Sequence, residues 1–142
     1  MSKFNLEKPL VSIIILNYNA GELLINCIES IVNSNYSNLE IIVVDNNSTD
    51  QSHLKCKGKF EKIKLIENKE NFGYCEGNNI GIRSASGEFV IILNPDTIVE
   101  KQWINLLMKA YEENGKGLYQ PKILSLNEKN VIQSTGNYIQ LF

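Results

Sequence analysis

Three apolar stretches of the chain are each followed directly by polar side chains that could hold a ligand. The polar clusters are Asn17–Asn19, Asp45–Asp50 and Asn94–Asp96. Their carboxylate and amide oxygens can accept hydrogen bonds from hydroxyl or N–H groups, and a carboxylate can also bind Mg²⁺ or Mn²⁺. If the apolar stretches are parallel strands, their carboxyl ends share one edge of a sheet, which is where ligands bind in open α/β folds. We therefore expect one polar site at that edge.

The third cluster is the one that we expect to hold a metal ion. Phe89–Leu93 supplies five apolar residues in a row, which predicts a strand buried on both faces. Pro95 then fixes its own φ angle and keeps Asn94 extended, so the carboxylate of Asp96 is held on a stiff turn. We predict that Asp96 fills one coordination position of Mg²⁺ or Mn²⁺ while phosphate oxygens fill others.

The first two clusters and a later glycine-rich segment carry groups that suit a nucleotide. Tyr18 offers a flat face for a base, and Asp45 can accept a hydrogen bond from a ribose hydroxyl or a base N–H group. Gly73 and Gly77 let the backbone approach a diphosphate, and a helix predicted to begin near Gly77 would point amide N–H groups at it. Any one cluster could be a plain turn, because Asn and Asp satisfy their own backbone. The repetition at three strand ends favours binding.

Strand and helix patterns alternate four times along the chain. The predicted strands are Val11–Leu16, Leu39–Val44, Ile63–Ile66 and Phe89–Leu93. The predicted helices are Glu22–Asn33, a short one toward Lys57 capped by Ser48 or Asp50, Gly77–Ala85, and one from Trp103 to Gly115 or Gly117. This order is typical of an α/β fold with an open, mostly parallel sheet, right-handed crossovers and helices on both faces. Short strands or extended pieces are predicted over 118–124 and 131–135. We interpret residues 1–142 as a single domain with a polar leader at 1–8.

Composition and charge exclude several classes of function. Fourteen basic and sixteen acidic residues give a formal charge of −2 without a basic stripe, so nucleic-acid binding has no support. No apolar run approaches the roughly 18 residues of a membrane span. Three scattered cysteines without paired spacing indicate a protein of the reducing cytoplasm. Peripheral attachment to the inner face of a membrane stays open.

Four isolated side chains have plain structural interpretations. His53 stands among polar neighbours, which favours a solvated surface position, and Trp103 at helical spacing is expected in the core. Gly81 and Gly87 are expected to be turn or packing glycines. A dehydrogenase of the dinucleotide-binding kind would need Gly-x-Gly-x-x-Gly after the first strand, and residues 17–22 do not supply it. A phospho-receiver domain would need an acidic pair at the end of that strand, where Asn17 stands.

Taken together, these motifs resemble a known family over about residues 9–136. The family is the inverting family 2 glycosyltransferases of GT-A fold, a Rossmann-like nucleotide-binding architecture, and especially their bacterial rhamnosyltransferase-like branch. The matching stretches are Val11–Asn19, Glu40–Asp50, Asn71–Tyr74 with Gly77 and Asn78, and Leu93–Thr97.

The resemblance implies a nucleotide-diphosphate-sugar donor, linked to UDP or dTDP, and a saccharide or lipid-linked acceptor in the synthesis of cell-envelope polysaccharide. By that likeness Asn17 and Tyr18 line the base pocket, Asp45 contacts base or ribose, and Gly73 and Asn78 lie by the ribose and diphosphate. The remaining predicted donor-binding residues are Asn19, Asn47, Gly77 and Asn94. The metal motif of the family is Asp-any-Asp; Asn94 occupies its first position here, so Asp96 alone supplies a charged ligand.

The implied reaction is displacement at the anomeric carbon with inversion, in which a carboxylate deprotonates the acceptor hydroxyl. In the family that base lies well downstream of the metal motif. None of the later acids stands in such a motif, so no catalytic base is assigned; these acids are Glu100, Glu112, Glu113 and Glu128. We expect the chain to be a C-terminally truncated donor-binding part whose apolar end, Tyr138–Phe142, could join two copies. The alternative is a non-catalytic nucleotide-binding or interaction fragment.

Overall fold

The computed structural model describes residues 8–126, 128 and 131–134. The chain divides into two compact units, residues 1–101 and 102–142. The elements of the first unit, in chain order, are β1 (Val11–Asn17), α1 (Glu22–Val32), β2 (Leu39–Asp45), α2 (Ser52–Lys59), β3 (Lys64–Glu67), α3 (Gly73–Arg83) and β4 (Phe89–Leu93). A single domain over the whole chain stays a prediction.

The four strands form one parallel sheet in the order β3-β2-β1-β4. Parallel pairing joins β1 to both β2 and β4, and β2 to β3. In this register Asn17 lies beside Asp45, and Asp45 lies beside Glu67. The predicted open parallel α/β sheet is confirmed, and the first two polar clusters do meet at its carboxyl edge.

One face of the sheet is covered by α3. Ile14, Ile42 and Val44 form a fully buried cluster, and Ile80 of α3 packs against it. Gly81 lies so close to the sheet that a Cβ atom there would overlap the side chain of Ile14. This helix can therefore rest on the strands only because glycine stands at the contact, as predicted for a packing glycine.

The opposite face carries the side chains that alternate with that cluster. Ile13, Ile15 and Val43 are fully buried and point away from α3, because successive strand residues face opposite sides. α1 has five buried residues of its own, and it contacts α2. These buried residues are Leu24, Ile25, Cys27, Ile28 and Ile31. The predicted apolar stripe of α1 also included Leu23 and Val32, which are 52% and 55% exposed, so the stripe is narrower than predicted.

β4 is an edge strand, and the prediction that it is buried on both faces was wrong. Val90 and Ile92 are 43% and 46% exposed, although the run from Phe89 to Leu93 is wholly apolar. Among the residues that the structure describes, only β1 pairs with β4. An apolar run does not distinguish an edge strand from a central one, because strand order is set by tertiary contacts.

Two helix starts also differ from the predictions. α3 begins at Gly73, four residues before the predicted start at Gly77, so Gly77 lies inside the helix. α2 begins at Ser52 after Gln51, which has a φ angle of 58°. The N-cap is Gln51 and not Ser48 or Asp50 as predicted, although Asp50 Oδ1 accepts a hydrogen bond from the Ser52 N–H at 2.9 Å.

The second unit contains α4 (Trp103–Asn114), β5 (Ile123–Leu124) and β6 (Ile132–Ser134). Gly115 ends α4 with a φ angle of 81°, as predicted, and Trp103 is buried. β5 and β6 pair antiparallel, which confirms the predicted short strands. Thr135, the apolar end and most of the polar leader lie outside the described residues. Within the described part of the chain, no helix is long and apolar enough to cross a membrane.

Candidate functional site

A groove of about 520 Å³ opens at the carboxyl edge of the sheet in the first unit. The ends of β1 and β2 form its first side, which we call the β1–β2 wall (Leu16, Tyr18 and Asn46). The turn after β4 forms the second side, which we call the β4 wall (Asn94, Pro95 and Asp96). The remaining lining residues, from α1 and the start of α3, are Leu23, Asn71, Gly73 and Tyr74. Of the predicted site residues, the groove thus brings together Tyr18, Gly73, Asn94 and Asp96.

The β4 wall is exposed but held on a fixed turn. The Thr97 N–H donates to the Asn94 carbonyl oxygen at 3.2 Å, closing a tight turn around Pro95. The Cys27 thiol donates to the same carbonyl at 3.6 Å, and burial raises the pKa of that thiol to about 12. The Tyr74 hydroxyl donates to Asn94 Oδ1 at 3.3 Å. Asn94 and Asp96 are nevertheless accessible to a ligand.

The donor set on this wall suits a cation that brings most of its own ligands. Asp96 offers a carboxylate and Asn94 an amide oxygen, both hard oxygen donors. Among residues 8–126, 128 and 131–134, no three His, Cys, Asp or Glu side chains cluster as a closed metal cage would require. These residues fit a Mg²⁺ or Mn²⁺ ion whose other positions are filled by phosphate oxygens and water. The role of Asp96 as a ligand stays a prediction.

The β1–β2 wall is backed by a buried polar cluster. Asn17 is fully buried and its Nδ2 group donates to Asp45 Oδ1 at 2.7 Å and to Ser52 Oγ at 2.9 Å. Asp45 is 2% exposed, and its Oδ2 accepts from the Ser48 N–H at 2.9 Å. Neither Asn17 nor Asp45 lines the groove. Their polar groups bond to neighbouring protein groups and support the wall, and their direct contact with a nucleotide stays a prediction.

Asn19 and Asn47 shape the loops behind the same wall. Both have positive φ angles, 52° and 63°, a conformation that Asn tolerates better than most residues. The Oδ1 atom of Asn19 accepts from the Thr49 N–H at 2.8 Å, and the Asn19 N–H donates to Ser48 Oγ at 2.9 Å. The loops after β1 and β2 are thereby joined into one unit. Neither asparagine lines the groove.

Asp50 also links the loop after β1 to the loop after β2. Its carboxylate accepts hydrogen bonds from the Ser52 N–H and the Gly21 N–H, both at 2.9 Å. Partial burial raises the pKa of Asp50, but these hydrogen bonds and the nearby His53 outweigh it and hold the pKa below its usual value. The charged form of Asp50 is therefore the one that the loops stabilise.

Asn46 and Asn71 line the groove and were not among the predicted site residues. Asn46 Nδ2 donates to Asn71 Oδ1 and to the Gly73 carbonyl, each at 3.1 Å, and Asn46 Oδ1 accepts from Asn68 Nδ2 at 2.8 Å. The Gly73 N–H in turn donates to Asn71 Oδ1 at 2.9 Å. The position of Asn46 could have been predicted from the second polar cluster. Successive side chains of a strand face opposite sides, so Asn46 faces the side opposite to Asp45.

Gly77 and Asn78 lie away from the groove surface. A Cβ atom at Gly77 would overlap the Leu16 side chain and lie 3.0 Å from Asn46 Nδ2, so this glycine lets α3 pack against the wall. The predicted approach of the Gly77 backbone to a diphosphate stays a prediction. Asn78 is 4% exposed, and its Nδ2 group donates to the Tyr74 carbonyl at 2.9 Å.

His53 is buried, and its predicted surface position was wrong. It is 6% exposed in the first turn of α2. Its Nδ1 lies 3.3 Å from Asp45 Oδ1, and its Nε2 lies 3.5 Å from Glu67 Oε1. Polar neighbours in sequence suggested solvent, but α2 turns this side chain toward the ends of β2 and β3.

Comparison with known proteins identifies the fold and the family. Residues 12–137 match the family described as "Glycosyl transferase family 2". An uncharacterised glycosyltransferase of Haemophilus influenzae is 41% identical over 109 residues, covering 75% of this chain and 34% of that protein. Glycosyltransferase GlyG of Streptococcus pneumoniae is 30% identical over 132 residues, covering 91% of this chain and 42% of that protein. The chain thus spans less than half the length of these relatives.

Solved structures show the same architecture. A mannosyltransferase of Pyrobaculum calidifontis, solved with GDP-Man and Mn²⁺, superposes with a TM-score of 0.68 at 25% identity, covering 75% of this chain and 33% of that one. TarS of S. aureus, solved with UDP-GlcNAc, superposes with a TM-score of 0.68 at 24% identity, covering 83% of this chain and 41% of that one. The GT-A fold expected from the sequence is confirmed. Since the family match covers most of the chain, this protein belongs to glycosyl transferase family 2.

Proposed function

We propose that the groove binds a nucleotide-diphosphate-sugar and that the chain is the donor-binding part of an inverting glycosyltransferase. The observation that carries the proposal is the pairing of two unlike walls across one groove. The β1–β2 wall presents the half-exposed ring of Tyr18, and the β4 wall presents the accessible oxygens of Asn94 and Asp96. A nucleotide-diphosphate-sugar has matching parts: a flat base at one end and a charged diphosphate at the other.

The β1–β2 wall is assigned to the nucleoside. The ring of Tyr18 is 55% exposed, so a base can stack on it without displacing packed side chains. Asn46 is 1% exposed and supports this wall through its hydrogen bonds to Asn71 and to the Gly73 carbonyl. Asn17, Asn19, Asp45 and Asn47 are assigned a supporting role behind the wall.

The β4 wall is assigned to the diphosphate and its metal ion. Asp96 would hold a Mg²⁺ or Mn²⁺ ion together with Asn94, and such an ion would stabilise negative charge on the leaving diphosphate. The solved mannosyltransferase contains GDP-Man and Mn²⁺, which supports a nucleotide donor and a divalent cation for this chain. Gly73 starts α3 beside this wall with a φ angle of 75°, which brings a helix N-terminus to the groove.

Transfer requires a base for the acceptor hydroxyl, and no residue is assigned to that task. The accessible carboxylate in the groove is Asp96, which is assigned to the metal. The relatives GlyG and the H. influenzae protein are more than twice as long as the part that matches. We therefore propose that donor binding belongs to this chain and that inverting transfer to a cell-envelope saccharide needs groups beyond it. The second candidate function is a non-catalytic nucleotide-binding module, which is favoured because no residue is assigned as the catalytic base.

A thermal-shift screen tests donor binding. The probes are UDP, dTDP and GDP, each with and without Mn²⁺, and a ligand at 100 times its dissociation constant should stabilise the folded state by about 2.7 kcal/mol. We expect at least one diphosphate to raise the melting temperature, and Mn²⁺ to increase the shift. Absence of a shift with every probe would contradict the proposal.

Turnover separates the two candidate functions. Release of nucleoside diphosphate from the matching donor, in the presence of a saccharide acceptor, would be measured for this chain. Binding without turnover supports a donor-binding part or module, and turnover close to that of a full-length relative would contradict the assignment of the base to residues outside this chain.

A further inference from the structure

The stretch of chain that carries Asp96 follows β4 and is neither helix nor strand. We call residues 94–101 the post-β4 segment. Asp96 is exposed within it, whereas Thr97 and Val99 are half-buried. Among the described residues, no group donates a hydrogen bond to the Asp96 carboxylate. The position of that carboxylate therefore depends on the backbone that carries it and on the groups that hold this backbone.

Cys27 of α1 contacts the post-β4 segment on both sides of Asp96. Its thiol donates to the Asn94 carbonyl oxygen at 3.6 Å. The Thr97 N–H, which closes the turn onto the same carbonyl, also interacts with the thiol. Burial is the main cause of the raised pKa of this thiol, and the charge of Asp96 adds to it, so the carboxylate lies near α1. Cys27 is fully buried, so it supports the turn from inside the protein.

Ser30 holds the same segment at a second point. Its hydroxyl donates to the Cys27 carbonyl oxygen at 2.7 Å and accepts from the Val99 N–H at 3.1 Å. The first hydrogen bond fixes the direction of the hydroxyl proton and leaves the oxygen lone pairs for Val99. Beyond the end of α1, the Asn35 N–H donates to the Lys101 carbonyl oxygen at 2.8 Å. The post-β4 segment is thus held at three points by α1 and the residue that follows it closely.

Asp96 lies between the contacts made by Cys27 and Ser30. Neither of these two side chains lines the groove, so any effect on a bound ligand must pass through the post-β4 segment. A metal ion that takes one carboxylate from the protein depends on the direction in which that carboxylate is held. Groups that orient a metal ligand from behind commonly contribute to metal affinity almost as strongly as the ligand itself.

We propose that Cys27 and Ser30 are positioning residues, which hold the backbone on both sides of Asp96 so that its carboxylate can bind the divalent cation of the donor. This inference rests on the proposed function, because it concerns the metal site on the β4 wall. Its consequence is specific. The affinity that a divalent cation adds to nucleotide binding depends on α1, whereas binding without metal does not.

Four variants test the proposal. Ser30→Ala leaves the Val99 N–H without its acceptor, and Cys27→Ala removes the contact with the Asn94 carbonyl. Ser30→Thr keeps a hydroxyl, which in a helix can still bond to a carbonyl three or four residues back. Ser84→Ala is the matched control: the Ser84 hydroxyl donates to the Gly81 carbonyl at 2.8 Å, as Ser30 does to the carbonyl three residues before it. Ser84 follows α3 and has no part in the post-β4 segment.

The measurement is the dissociation constant of UDP, dTDP or GDP, whichever raises the melting temperature most, with and without Mn²⁺. The ratio of the two constants is the gain that the metal provides. We expect this gain to fall about five-fold in Ser30→Ala and in Cys27→Ala, and to stay close to that of the unaltered protein in Ser30→Thr and Ser84→Ala. The metal-free constant should be the same in all five proteins. A merely structural role would lower the melting temperature but leave the gain unchanged.

The possible failures of the inference and of the proposed function can be told apart. If the unaltered protein shows a gain with Mn²⁺ and both alanine variants of α1 keep it, α1 does not position Asp96, and the proposed function stands. Equal losses with and without Mn²⁺, or a loss in Ser30→Thr as large as in Ser30→Ala, would overturn the inference in the same way. If one alanine variant does not fold, the other decides.

Failure of the unaltered protein would have a wider consequence. If none of the three diphosphates binds, the proposed function fails and the inference fails with it. If a diphosphate binds but Mn²⁺ adds nothing, the metal site on the β4 wall is wrong, and so is its support by Cys27 and Ser30.

Discussion

The two walls of the groove are built in opposite ways. The β1–β2 wall rests on buried side chains: the Asn17 Nδ2 group and the Asp45 carboxylate are hydrogen-bonded to other protein groups before any ligand arrives. The β4 wall presents Asn94 and Asp96 to solvent on a tight turn. The first wall is therefore held by hydrogen bonds within the protein, whereas the second wall has side-chain oxygen atoms that are accessible to a ligand and its metal ion. Substitutions of the buried side chains behind the first wall should therefore lower stability, whereas substitutions of the exposed side chains in either wall should change binding alone.

The largest effect is expected for Asp45→Ala. This change leaves the Ser48 N–H without its acceptor and removes an acceptor of the buried Asn17 amide, and a buried donor left unsatisfied costs roughly 1–3 kcal/mol. We expect a loss of unfolding free energy of about that size, measured by urea denaturation, together with weaker nucleotide binding with or without metal. Asp45→Asn keeps one oxygen acceptor and should lose less. An Asp45→Ala protein as stable as the unaltered one would contradict the buried support of the wall.

Tyr18→Ala should weaken binding without unfolding the protein. The ring is half exposed, so its loss removes little packing, but stacking of a base on an aromatic side chain contributes about 1–3 kcal/mol. We expect the dissociation constant to rise about tenfold, by calorimetry, equally with and without Mn²⁺. Tyr18→Phe keeps the ring and should bind almost as well. If the loss appeared only with Mn²⁺, Tyr18 would belong with the β4 wall.

Asp96→Asn should act on the metal-dependent part of binding. The carboxylate is exposed, so its neutralisation should leave the melting temperature of the free protein unchanged. We expect the gain in affinity on adding Mn²⁺ to fall about tenfold, with metal-free binding preserved. Glu100→Gln, an exposed acid outside the groove lining, is the matched control. Equal losses with and without Mn²⁺ would contradict a ligand role for Asp96.

The smallest effect is expected for Asp50→Asn and depends on pH. The folded protein holds the pKa of Asp50 below its ordinary value, so the unfolded chain binds the proton more readily. The stabilisation is therefore present above the ordinary carboxyl pKa and fades as pH falls through the lowered value. Denaturation curves of the two proteins should differ near neutral pH and converge in acid. A stability difference between the two proteins that grows as the pH falls would contradict a lowered pKa of Asp50.

Much of this architecture could be predicted from the sequence. Apolar runs predicted all four strands of the sheet, and the Asn and Asp residues that follow three of these runs predicted the edge where the polar ends meet, because strand length and turn chemistry are local properties. The packing role of Gly81 was also predicted. Strand order was not, and so β4 was expected to be buried on both faces although Val90 and Ile92 are exposed.

Which residues of each polar cluster line the groove could not be predicted either. Sequence spacing does not tell which of two adjacent residues at a strand end faces the groove, so Asp45 was preferred and Asn46 was missed. The burial of His53 depends on where α2 begins and on Glu67 at the end of β3, and neither is visible in the neighbouring sequence. Tertiary contacts decide both points.

The central claim is that one groove binds a nucleoside diphosphate, with the nucleoside on the β1–β2 wall and the diphosphate and its metal ion on the β4 wall. Calorimetric titration with UDP, dTDP and GDP, each with and without Mn²⁺, tests it most directly. The account predicts that at least one diphosphate binds without metal and binds about tenfold more tightly with Mn²⁺. Failure of all three to bind in either condition would contradict the claim.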